Sequence, residues 1–67
     1  MKTIARAYSE FGALMEDSAY LSTPNLTFAG VCAHIGVSPS SLNEVLRKEL
    51  GFYGPDILEY FQKFLNL

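Results

Sequence analysis

Tryptophan is absent from these 67 residues, and cysteine and histidine occur once each. One cysteine cannot close an internal disulfide. Cys32 and His34 together fall short of the roughly four ligands that a structural zinc site takes. No second His or Cys stands by to activate a nucleophile, and the adjacent acids Glu16 and Asp17 point apart on a helix. Gly51 and Gly54 are not followed by the Lys and Ser/Thr of a phosphate-cradling loop. We therefore expect no enzyme, no cofactor, no bound metal and no small-molecule substrate. No stretch approaches the roughly 20 consecutive apolar residues of a transmembrane helix. Ser9, Glu10, Glu16 and Asp17 interrupt the N-terminal part too often for the apolar segment of a signal peptide. The expected compartment is the reducing cytoplasm, with no membrane partner. Basic residues are scarce as well: five Lys and Arg stand against seven Asp and Glu, a formal net charge of −2. This balance argues mildly against tight nucleic-acid binding, which draws most of its affinity from cations on phosphates.

What the chain has is apolar mass. Hydrophobic residues make up 49% and aromatic residues 13%, against 18% charged. That excludes a disordered tail. A chain of this size hides only about 60% of the surface it exposes when unfolded. Some of the apolar surplus is expected to cover a partner.

The hydrophobic spacing predicts an all-α, single small domain over 1–67, built from four helices. Ile4, Tyr8, Phe11, Leu14, Met15 and Leu21 keep the rhythm of one helical face, giving a first helix over 3–21. Thr27 as N-cap and Gly36 as terminator bound a second over 28–35. Ser38 before Pro39, and Gly51 at the other end, bound a third over 39–50, with Leu42, Val45, Leu46 and Leu50 as its apolar side. A fourth over 55–65 begins at Pro55 with Asp56 at its positive end, and Ile57, Leu58, Phe61, Phe64 and Leu65 line one side.

The second and third of these helices carry the one specific pattern. Two helices crossing steeply over a turn of three or four residues need a small residue at the crossing, a residue tolerant of positive φ in the turn, and apolar residues around both. Cys32 and Gly36 fill the first two needs, and Val31, Ile35, Val37, Leu42 and Val45 the third. An ordinary helical hairpin would also use Gly at its turn.

The stretch LTFAGVCAHIGVSPSSLNEVLRKELGFYGPDILEYF, Leu26 to Phe61, resembles the first helix-turn-helix subdomain of AraC/XylS-type transcriptional regulators. The preceding Met15-Glu-Asp-Ser-Ala-Tyr-Leu resembles the helix that leads into it. The resemblance implies a DNA-binding regulator of transcription, with the helix over 39–50 entering the major groove. Its outward positions are Ser40, Ser41, Asn43, Glu44, Arg47 and Lys48. By the resemblance, Ser40, Asn43 and Glu44 fall where members of the family touch bases, and Arg47 and Lys48 where they approach the backbone. Asn can pair with adenine and Glu can accept from cytosine. The same residues also make up an ordinary solvated helix face. Glu44 could instead pair with Lys48, one turn on.

Members of that family carry two such subdomains, and only one fits here. A homodimer on double-stranded DNA is the expected remedy, reading two half-sites about 34 Å apart. Phe61, Phe64, Leu65 and Leu67 are the candidate interface. The rival expectation is a protein-interaction or oligomerisation module that keeps the fold without DNA binding. Cys32 is expected as a small buried residue and His34 as a surface residue. Tyr8, Phe11, Phe52, Tyr53 and Phe61 are expected in core or interface rather than as base-stacking platforms.

Overall fold

The computed structural model describes residues 3–65, and every side chain among them except that of Leu65. Five helices follow in order: α1 (Ile4–Met15), α2 (Ser18–Leu21), α3 (Phe28–Ile35), α4 (Pro39–Leu50) and α5 (Gly54–Leu65). No strand occurs among the described residues, so the fold is all-α. The Cα radius of gyration is 11.1 Å, close to the roughly 11 Å of a compact chain of this length.

The expected first helix is in fact two. Thr3 caps α1 by accepting the Arg6 N–H at 3.3 Å. The helix then stops after Met15, because Asp17 takes an extended backbone and its carboxylate accepts the Tyr20 N–H at 3.1 Å. An N-cap of this kind starts a new helix rather than continuing an old one. The break re-aims the chain, so that Leu21 reaches the core together with Ala7, Phe11 and Met15. Ile4, expected on the buried stripe, is 40% exposed.

The next two helices keep the expected boundaries, and their caps explain why. Thr27 Oγ1 accepts the Gly30 N–H at 3.0 Å. At the far end Gly36 adopts φ 91°, and the N–H groups of Gly36 and Val37 both donate to the Cys32 carbonyl. That left-handed residue costs an L side chain roughly 1–2 kcal/mol and glycine almost nothing. Only Val37 then separates Gly36 from Ser38, whose Oγ accepts the Ser41 N–H at 3.2 Å and begins α4.

The core is one cluster. α1 packs across α4, α3 and α2, and α5 across α4, α3 and α2. Val31, Cys32, Leu42 and Leu46 are fully buried where α3 meets α4. Phe11 and Phe28 meet edge to face at 5.9 Å, a geometry that aromatic rings favour. Gly54 is required by packing: a Cβ there would overlap the ring of Phe28. α5 therefore begins at Gly54, one residue before Pro55, and Ile57 and Leu58 enter the core from it.

Candidate nucleic-acid interface

α4 is half inside and half outside. Leu42 and Leu46 are fully buried, and Val45 is half-buried. Ser40, Ser41, Glu44, Arg47 and Lys48 are exposed. Twelve residues at about 1.5 Å each give a rod of about 18 Å. Its diameter with side chains, roughly 10–12 Å, matches a major groove about 12 Å wide. α3 lies behind α4, joined to it through Gly36, Val37 and Ser38.

At the N-terminal end three hydroxyls gather. Ser38 Oγ lies 3.0 Å from Ser40 Oγ and donates to Ser41 Oγ at 3.3 Å. Since Ser38 has one hydroxyl proton, the Ser40 hydroxyl is the donor in the first contact. Both outer hydroxyls keep lone pairs toward solvent. At the C-terminal end Arg47 and Lys48 occupy the last turn, where cations oppose the negative end of the helix dipole. The Arg47 guanidinium sits 5.8 Å from the ring centroid of Tyr53, a cation–π contact. Tyr53 is itself 51% exposed.

Asn43 departs from the expected set. Its side chain is half-buried, and its Oδ1 accepts the Gly54 N–H. It caps α5 across eleven residues of sequence, so this carboxamide oxygen is engaged inside the protein rather than offered outward. The first N–H groups of a helix lack intrahelical partners, and Asn is a preferred side chain for that task. The face that stays open is thus Ser40, Ser41, Glu44, Arg47 and Lys48.

Of the expected interface residues, Phe61 is half-buried against the core and Phe64 is exposed. Leu67 and the side chain of Leu65 lie outside the described residues. Phe52 and Tyr53 are exposed in the short connection between α4 and α5. The sequence signal for them was their place between Gly51 and Gly54, in a turn too short to fold back over them.

The remaining expected residues fall as follows. Cys32 is fully buried, and burial raises its thiol pKa above the usual value of 9.0. Tyr20 is likewise raised from 10.0, first by burial and then by its proximity to Cys32. His34 is exposed, with its ring 5.2 Å from that of Tyr20. No group of three or more metal-ligating side chains occurs among the described residues. No described helix is long and apolar enough to cross a membrane. No family model, no curated protein and no solved structure matches the chain.

Proposed function

We propose that this protein is a small DNA-binding module of a transcriptional regulator. In this reading α4 is the helix that enters the major groove, and two copies act together. The observation that carries the reading is the division of α4: its inner side is locked against α3 by Leu42 and Leu46, and its outer side from Ser40 to Lys48 is open. Ser40 and Ser41 would meet base edges or sugar oxygens, and Glu44 a cytosine amine. Arg47 and Lys48 would each neutralise a phosphate. Asn43 is left out, since capping α5 occupies it. The resemblance of Leu26 to Phe61 to the AraC/XylS-type subdomain supports the same reading.

The test is an NMR titration with duplex DNA at several salt concentrations. Four phosphates neutralised by two copies predict a slope of about −3.6 in log K against log salt. Arg47→Ala with Lys48→Ala should flatten that slope and abolish the shifts of α4. A flat salt response in the parent protein, or shifts confined to other helices, refutes the reading.

A second reading, an interaction module that binds protein rather than DNA, is favoured by the exposed Phe52, Tyr60 and Phe64. It predicts that the Arg47 and Lys48 substitutions leave assembly intact.

A further inference from the structure

An exposed apolar surface lies where the end of α4 meets α5. Leu50, Phe52, Asp56, Ile57, Tyr60 and Phe61 line a groove of about 720 Å³ between the end of α4 and α5. Leu50 is 47% exposed, Phe52 63% and Tyr60 62%. Beside the groove stands Phe64, 64% exposed, its ring stacked on Tyr60 at 6.4 Å. Tyr60 in turn meets Phe61 edge to face at 5.4 Å, so the rings form one connected surface.

We propose that this surface pairs with a second copy of the chain about a two-fold axis, Phe64 of each copy entering the groove of the other. Three observations select that occupant. The first is shape: a projecting ring and a receiving groove lie side by side on one surface, as a self-complementary two-fold contact needs. The second is area. At roughly 200 Å² for each aromatic residue, the four exposed side chains leave about 450 Å² open on one chain. Two copies then bury roughly 1,000 Å² once the groove floor and rim are covered, about the lower bound for a specific interface. The third is charge. Lys63 precedes Phe64 and makes an exposed i,i+4 ion pair with Glu59 at 3.0 Å. Lys63 beside the entering ring and Asp56 in the lining of the receiving groove supply opposite charges to the two sides of the contact.

A patch near this size falls within the roughly 300–600 Å² of the largest apolar patch on a typical monomer, and such patches are often functional. Affinity at this area is expected in the micromolar range, since the interface sits at the weak end of its class. The pairing supplies the second copy that the proposed DNA binding uses. It is measured without nucleic acid, so its failure and the failure of DNA binding are read separately.

The experiment is analytical ultracentrifugation of the full chain from about 1 µM to about 1 mM, with NMR spectra recorded over the same dilution. The expected result is a monomer–dimer equilibrium whose concentration-dependent shifts fall on Leu50, Phe52, Tyr60 and Phe64. Phe64→Asp and Phe52→Asp should each raise the dissociation constant at least tenfold with helical circular dichroism unchanged. Ala29→Asp, an exposed site on α3, should not. A parent chain that stays monomeric at the highest concentration overturns the proposal. So does association that survives both aspartates, or dilution shifts that map to another face. The dilution spectra need no variant, so a substitution that unfolds the chain leaves that test standing.

Discussion

Replacing Asn43 by alanine removes the acceptor that holds the first N–H of α5 while leaving the buried side of α4 intact. Loss of an N-cap costs about 0.5–2 kcal/mol. A half-buried N–H left without a partner moves the cost toward the upper part of that range, because desolvating an unpaired group costs about 1–3 kcal/mol. We expect about 1.5 kcal/mol. A domain this small shifts by about 4–8 °C per kcal/mol, so the thermal midpoint should fall by about 6–12 °C. Urea denaturation followed by circular dichroism should show a lower midpoint at unchanged slope. Asn43→Asp retains an acceptor and places a negative charge at a helix N-terminus, where it is favourable by about 0.3–1 kcal/mol. It should therefore recover most of the stability at neutral pH. If Asn43→Ala melts with the parent protein, or if Asn43→Asp is as unstable as the alanine variant, the capping role is wrong and the side chain returns to the outer face of α4.

Two further outcomes follow from the core. Gly54→Ala forces a methyl group into the Phe28 ring and should cost about 1–3 kcal/mol; pairing it with Phe28→Leu should recover part of the loss in thermal melts, and an unchanged midpoint for the single variant would contradict the packing. Cys32 should react with a thiol reagent only as fast as the chain opens. Its raised folded-state pKa means that its contribution to stability is complete below about pH 9, its unfolded value. That contribution is lost as pH climbs from there through the folded value, because the unfolded chain releases the proton first. A thermal midpoint that rises between pH 9 and 10 would oppose this.

The two central helices were legible to the residue because both of their ends are local. Thr27 and Gly36, then Ser38 and Gly51, act within one turn of themselves, and a sequence displays such signals directly. The break after Met15 was hidden for the opposite reason. The apolar rhythm continues through it to Leu21, and Asp17 reads as a surface acid until its carboxylate is seen on the Tyr20 N–H. Helical spacing alone puts Asn43 on the outer face. Its partner Gly54 lies eleven residues away, across a turn that no local pattern locates. The interface expectation includes Phe64 from its apolar character and leaves Phe52 open between core and interface, but it does not include Leu50 or Tyr60. Leu50 and Phe52 share one groove with Tyr60 because α5 packs back on the end of α4, a contact that local spacing does not display.

Every buried side chain among the described residues is apolar, and among them no buried side-chain nitrogen or oxygen lacks a hydrogen-bond partner. Nothing inside the protein therefore asks for one particular chemistry; it asks for volume. Exchanges such as Leu42→Met or Ile35→Leu keep that volume and cost less than about 1.5 kcal/mol. What cannot drift so freely is the punctuation: Gly36 and Gly51 for their backbone angles, Gly54 for its missing methyl, and Asn43 for its reach. A distant cousin of this chain could differ at most interior positions and still be recognised by four letters at fixed intervals.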